Sequence, residues 1–292
     1  MKKFTRIIVN ADDFGQSSAV NEAVMAACEN GVLTSATIMA NMPGFEEAAR
    51  GAASMQKLGV GVHLNILRGV PLSEPSRIRS LVCRRGCFLD SAGAFLARAL
   101  SGRIDYDDVE AEFAAQIGRV IDFGITPTHL DSEKHLHIAF PRIGRIACAL
   151  AKRFGIGAVR IVREPVSLLR GMPKASLSQT FKLMILNRQG SALTRVASGL
   201  GLAFADRSFG VALAGRMDAD IYRRLFRAVS EGSMEIMCHP ATSGNASAGA
   251  RSVGWLDRFR AEEYRALVDP AVKEALAASG SVLINYGDLY YG

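Results

Sequence analysis

Cysteine is sparse in this 292-residue chain, and the five that occur, Cys28, Cys83, Cys87, Cys148 and Cys238, are scattered and odd in number. That argues against a disulfide framework. Cys83 and Cys87 stand close together, but no second pair completes a structural zinc site, so all of them read as reduced thiols. Long apolar runs are missing as well, and no segment is long enough to cross a bilayer. Met1-Lys2-Lys3 leads directly into a strand, without the apolar stretch and small-residue cleavage site of a secretory leader. The expected location is the cytoplasm, with peripheral attachment to the inner face of a membrane left open. No Gly-x-Ser-x-Gly elbow precedes a helix, and neither Gly199-Leu200-Gly201 nor Gly155-Ile156-Gly157 has the strand, spacing and acidic follow-up of a dinucleotide site. Serine hydrolysis and nicotinamide chemistry are set aside on those grounds.

Acids are rare in one half of the chain. Between Arg142 and Arg227 only Glu164, Asp206, Asp218 and Asp220 stand against sixteen Lys and Arg, within a formal net charge of +7. A cationic surface is expected there. Aromatics amount to 7% of the chain, and the basic stretch has mainly aliphatic neighbours, which argues against the stacking groove of a nucleic-acid binder. Apolar content, by contrast, is ample: at 49% hydrophobic the chain can bury a large core.

The first strong signal is Ile7-Ile8-Val9-Asn10-Ala11-Asp12-Asp13-Phe14-Gly15, a short β-branched run that delivers two carboxylates to its C-terminal tip. Neighbouring strand residues face opposite ways, so Asp12 and Asp13 are expected to do different jobs, one holding a metal while the other acts as a base. Ser17 and Ser18 are available to cap the following helix. Helical spacing over 17–30 stops at Gly31, a second strand is predicted over 34–41, a helix over 45–57, and a third strand over 60–65. A long irregular cover follows from Ile66 to about Ala92. Further on come a helix over 107–123, a strand introduced by Thr126-Pro127-Thr128, a helix over 141–154 and a strand over 158–162. Helices are predicted over 218–229 and 261–278, and strands over 234–240 and 282–285. About seven strands interleaved with helices predict a distorted, incomplete (β/α) barrel, an α/β fold of parallel strands in a single domain spanning 1–292. From Pro165 to Gly215 the alternation breaks, and this stretch reads as a basic and apolar insertion that suits a lipid tail or membrane interface, or else an oligomer contact.

All five histidines, His63, His129, His135, His137 and His239, fall at or just after predicted strand exits. Together with Asp12, Asp13 and Asp131 they predict a divalent-metal site, since a barrel rim can gather Asp13, His63 and a residue of the Glu133 region from far apart in sequence. Such an ion lowers the pKa of water and polarises a carbonyl oxygen, with Asp12 free to take the proton. Asn10, Asn65, His129, His135 and His137 are the candidates for substrate contacts.

Asn10-Ala11-Asp12-Asp13-Phe14-Gly15, Gly61-Val62-His63-Leu64, Thr128-His129-Leu130-Asp131-Ser132 and Met237-Cys238-His239-Pro240 resemble, in order, the motifs of the YdjC/ChbG-like carbohydrate deacetylases. The resemblance implies removal of acetyl from an N-acetylated sugar on a distorted (β/α) barrel. It further implies Asp13 and His63 as metal ligands and Asp12 as the base. The family's third ligand is a histidine two residues after the motif aspartate. Here that position is Glu133, itself a competent oxygen ligand for a metal such as Mg or Zn, with His135 and His137 as neighbours able to complete the site. His239 matches the family's late histidine and is expected to protonate the departing amine, with Asp131 holding a ring in its working tautomer. Length and basic insertion are most similar to the hopanoid-biosynthesis-associated members, which implies an N-acetylglucosaminyl hopanoid as substrate. A chitooligosaccharide substrate, and a non-catalytic lipid-, sugar- or partner-binding barrel with a degenerate metal site, are the alternatives.

Overall fold

A computed structural model describes residues 5–165, 172–173, 176–228, 231–242 and 259–291. Its strands are β1 (Thr5–Phe14), β2 (Ser35–Ile38), β3 (Gly59–Leu64), β4 (His129–Ser132), β5 (Ala158–Val159), β6 (Arg207–Phe209), β7 (Gly232–Cys238) and β8 (Val282–Leu283). The main helices are α1 (Ser18–Asn30), α2 (Phe45–Ala53), α3 (Ala92–Leu100), α4 (Tyr106–Asp122), α5 (Leu136–Ala139), α6 (Pro141–Arg153), α7 (Leu177–Gly199), α8 (Ala219–Ala228), α9 (Arg260–Val268), α10 (Pro270–Ser279) and α11 (Tyr286–Tyr291).

The apolar run at the start forms the strand about which the sheet is built. Ile7, Ile8, Val9 and Ala11 are fully buried, and each large side chain so buried contributes about 1.5–3 kcal/mol. The strands are parallel and run β5-β4-β3-β2-β1-β7-β6, with β8 pairing β1 off that path through Arg6 to Val282 and Ile7 to Leu283. The sheet curls until its two edges meet across an irregular seam. Val159 N–H donates to Ala203 O at 2.9 Å, Ala203 N–H to Gly157 O at 2.9 Å and Ser208 N–H to Arg163 O at 3.0 Å. This is the distorted, incomplete (β/α) barrel that the alternation predicts.

The membership of the sheet differs from expectation at one strand. β6 lies inside the stretch 165–215 that reads as an insertion, and the same stretch supplies the 23-residue helix α7. Among its described residues this region is therefore the crossover between the two edges of the barrel. Ser176 and Gln179 start α7 with a reciprocal capping box, and Leu183, Leu186, Gly190, Leu193 and Ala197 are buried along it. A second difference lies near the C-terminus: the single helix expected over 261–278 is two, α9 and α10. Asp269 stops the first and caps the second through Ala271 N–H at 2.7 Å, with Pro270 at the first helical position. A third concerns α1, where Ser17 holds the N-cap position but its side chain makes no capping hydrogen bond. Helices α3 and α11 have no counterpart in the sequence reading.

Candidate active site

The C-terminal ends of β1, β3, β4 and β7 open into one cavity of about 410 Å³. Asp12 and Asp13 both line it, contrary to strict alternation, because Asp13 takes a left-handed backbone (φ 68°) that turns the end of β1. The turn closes with Gln16 N–H on Asp13 O at 2.9 Å. Gly15 (φ 88°) completes it where a Cβ would crowd Met39 O at 3.3 Å. The two aspartates nonetheless keep separate partners, Arg160 and Asn10 for Asp12 and Arg68 and Arg260 for Asp13. A second left-handed pair, Lys134 and His135, follows Glu133 at the end of β4. Backbone strain of this kind, on the order of 1–3 kcal/mol per residue, collects where a site is being shaped.

Asp13, His63 and Glu133 converge as the sequence predicts. One donor atom of each lies within 4.8 Å of the others. His63 Nε2 is 3.9 Å from Asp13 Oδ1 and 3.5 Å from Glu133 Oε2, while its Nδ1 is held by Asp131 Oδ1 at 2.7 Å. Such a carboxylate behind the ring fixes its orientation and directs the other nitrogen forward. Thr37 Oγ1 secures the arrangement, donating to Asp131 Oδ2 at 3.1 Å. Two arginines that the sequence reading overlooks also reach Asp13: Arg68, at 2.7 Å from Oδ1 and 2.9 Å from Glu133 Oε2, and Arg260 on Oδ2. Burial works against ionisation of Asp13, but Arg260 and Arg68 outweigh it and hold the carboxyl well below the usual range. Glu133 is likewise held down against burial, by Arg68 and Lys134. Burial alone would lower His63, yet the carboxylates of Asp131, Glu133 and Asp12 raise it well above its ordinary value.

Behind this group lies a second, fully buried ion cluster. Arg160, with no solvent exposure, forks onto Asp12 at 2.7 and 2.8 Å, reaches Glu235 Oε1 at 2.7 Å and also contacts Asp131 Oδ2. It is thus not part of the cationic surface expected of its half of the chain. Asn10 donates to Asp12 Oδ1 at 3.0 Å. Asp12 is in this way fixed by donors on its back while its open side faces the cavity.

Across from Asp12 stands His239, whose Nε2 is 3.9 Å from Asp12 Oδ2. Glu263 grips the same residue, accepting the His239 backbone N–H at 2.6 Å and lying 3.8 Å from Nδ1. Helix α7 closes the opposite wall with Ser178, Gln179 and Lys182. Burial, with Lys134 nearby, pushes Lys182 down to about 8. Glu164 anchors this wall by accepting from Val211 N–H at 2.9 Å and Ala212 N–H at 3.3 Å, and burial pushes it up to about 7.

Of the five residues expected to touch substrate, only His135 lines the cavity. Its Nδ1 is buried, and burial together with Lys182 keeps the ring's pKa well below the ordinary value. The other four are buried outside the lining. Asn65 braces the backbone after β3, accepting from Leu67 N–H and donating to Arg68 O at 2.8 Å. His137 is held between Ser132 Oγ at 2.6 Å and Arg160 O at 2.9 Å. His129 begins β4 instead of leaving it, and its ring stacks on Tyr286 with centroids 3.8 Å apart. Gly61 makes room for that ring, since a Cβ there would lie 2.5 Å from it. Asp131 is also outside the lining, and the ring it holds is that of His63, at Nδ1.

Several known proteins are similar to this chain. A carbohydrate deacetylase of Geobacillus stearothermophilus is 34% identical over 284 residues, covering 97% of both chains. A chitooligosaccharide deacetylase of Klebsiella pneumoniae (strain 342) is 32% identical over 290 residues, covering 97% of this chain and 98% of that one. Among solved structures, an Enterococcus faecalis V583 protein named for cellobiose-phosphate cleavage superimposes with a TM-score of 0.79 at 25% identity, covering 99% of this chain and all of that one. The profile of the YdjC-like proteins matches residues 6–278, and with motifs, barrel and relatives in agreement along nearly the whole length, the chain belongs to that family.

Proposed function

We propose that this protein hydrolyses the acetamide of an N-acetylated sugar, releasing acetate and a primary amine. The observation that carries the reading is the pairing of Asp12 and His239 across one cavity, 3.9 Å apart, beside the convergent Asp13, His63 and Glu133. The activities for which the two relatives are named support it. Oxygen and nitrogen donors of this kind suit a divalent ion such as Mg or Zn, and the Asp131 bond to Nδ1 leaves His63 Nε2 turned toward the two carboxylates. An ion held there by Asp13, His63 and Glu133 would polarise the acetamide carbonyl and acidify water. Asp12, fixed by Arg160 and Asn10, takes the proton from the attacking water. His239, held by Glu263, gives one to the nitrogen as the C–N bond breaks. One water enters: its oxygen ends in acetate, one of its hydrogens on the amine nitrogen, and the other leaves as a proton when the acetic acid ionises.

The finer reading is that the sugar is carried on a lipid, as in N-acetylglucosaminyl hopanoid, and met at the inner membrane face. What supports it is an apolar stripe on α7: Leu177, Phe181, Met184 and Ile185 are 91%, 65%, 65% and 39% exposed. They share one helix face at i, i+4, i+7 and i+8, while Ser178, Gln179 and Lys182 of the same turns line the cavity. The chitooligosaccharide reading is favoured by the Klebsiella relative instead. Amine release from a short N-acetylglucosamine oligomer and from a lipid-linked N-acetylglucosamine, measured alongside bound metal, tests the whole scheme. Amine from either substrate supports hydrolysis. None from both, with no metal bound, makes the chain a binding barrel. Replacing Leu177, Phe181 and Met184 by Ser is expected to abolish liposome association while sparing the short oligomer; unchanged association would end the membrane reading.

A further inference from the structure

The atoms that define the metal seat are also the atoms that hold an arginine. Arg68 NH2 lies 2.7 Å from Asp13 Oδ1 and 2.9 Å from Glu133 Oε2. Those are the same two oxygens that His63 Nε2 faces at 3.9 and 3.5 Å. A cation cannot take both oxygens as ligands while a guanidinium nitrogen sits between them at hydrogen-bond distance. Arg68 differs from the other two arginines of the site in having a way out. Its side chain is 20% exposed and lines the cavity, whereas those of Arg260 and Arg160 are 3% and 0% exposed. Its backbone is pinned: Asn65 and Asn41 both donate to Arg68 O, at 2.8 and 3.1 Å, and Arg68 N–H donates to Asn65 Oδ1 at 3.2 Å. The movable part is therefore the long side chain, pivoting on a fixed base at the cavity wall.

We propose that Arg68 is a resident counter-cation of the Asp13–His63–Glu133 seat, released toward the cavity mouth when a divalent ion enters. Ion loading and Arg68 release are then one linked event. The guanidinium offsets the charge of two buried carboxylates in the absence of the ion, at the cost of competing with it. This inference rests on the metal seat proposed above.

Equilibrium binding of Mn²⁺ and of Zn²⁺ to the full chain, by competition with a chromophoric chelator, tests it. Arg68→Met is expected to bind at least tenfold more tightly than the unaltered protein at the same stoichiometry, and Arg68→Lys to fall between the two. Equal or weaker binding by Arg68→Met overturns the competition. A measurement on the unaltered protein guards against a variant that fails to fold: phenylglyoxal labelling of Arg68, followed by peptide mass, is expected to rise several-fold on adding the ion. Labelling that stays constant or falls overturns the release. If no ion binds to any of the proteins, the metal seat itself is refuted and this inference with it, whereas equal binding refutes the role of Arg68 alone.

Discussion

Replacing Arg160 by Leu isolates the physical demand that the barrel interior makes on its charges. The guanidinium is fully buried and joins Asp12, Asp131 and Glu235, with five of its contacts at 2.8 Å or less. Removing one partner of a buried ion pair costs about 3–5 kcal/mol, because the remaining charge has neither water nor a counter-ion. For chains of this size each kcal/mol is worth about 2–4 °C in Tm, so a fall on the order of 10 °C is expected. The deficit should also depend on pH. In the unaltered protein burial pushes Asp131 up, but Arg160 and then His63 outweigh it and hold the carboxyl well below the usual carboxylate range. A depressed folded-state pKa gives stability that is present above the unfolded value and lost as pH falls through the folded one. Without Arg160 the burial of Asp131 has less opposing it, and Glu235, which burial already raises against Arg160, rises further. Raised carboxyls lose stability as pH climbs through the range above their unfolded values, so the gap between the two proteins should be widest near pH 8 and narrower near pH 5. Urea unfolding at both pH values reads this directly. A loss under about 1 kcal/mol at pH 8, or a gap that widens on acidification, would refute the reasoning. Adding Glu235→Leu to Arg160→Leu should recover part of the loss, since one stranded charge is removed.

Asp12→Asn is expected to lower turnover by about 10²–10⁴, the usual worth of a general base, while keeping the bound ion, whereas Asp13→Asn loses both; amine release and metal analysis on the same preparations separate the two. Glu133→His, which exchanges an oxygen donor for a nitrogen one, should keep one ion per chain and move preference from Mg²⁺ toward Zn²⁺, read as a ratio of dissociation constants. Glu164, raised to about 7 by burial, should make stability fall as pH rises from the ordinary glutamate range to about 7, and Glu164→Gln should flatten that slope in urea unfolding followed across the range.

Much of the barrel is legible because its strands are short, apolar and bounded by turn residues, as in Ile7-Ile8-Val9 and Val60-Gly61-Val62. The crossover α7 is not, and the reason is geometric. One face of it is buried at Leu183 and Leu186, a second supplies Ser178, Gln179 and Lys182 to the cavity, and a third exposes Phe181 and Met184. Three environments around one helix erase the two-sided pattern on which periodicity depends. β6 is hidden for another reason: at three residues, Arg207–Phe209, it carries no alternation to detect, and its place in the sheet comes from pairing with β7. The split between α9 and α10 was open to reading, since Asp269-Pro270 is a cap followed by a residue that starts helices but cannot continue them.

The site divides in the same way. Asp12, Asp13, His63, Glu133 and His239 could be anticipated because an acid or imidazole at the exit of an apolar strand has no packing duty and faces the rim. His129 shows the limit of that rule: an entry residue taken for an exit residue is placed at the wrong end of its strand, where its ring became a stacking partner for Tyr286. Arg68 and Arg260 lie outside strands, and no local pattern ties either to Asp13. Arg160 and Glu235 are different. Each interrupts an apolar stretch, Ala158-Val159-Arg160-Ile161-Val162 and Met234-Glu235-Ile236-Met237, where an unpaired charge would be prohibitively costly. A charge in such a position therefore demands an opposite charge from another strand. With Asp12 and Asp131 also reaching inward, one arginine and three carboxylates could have been matched from sequence as a single cluster. That cluster is what fixes Asp12 in place at the cavity wall.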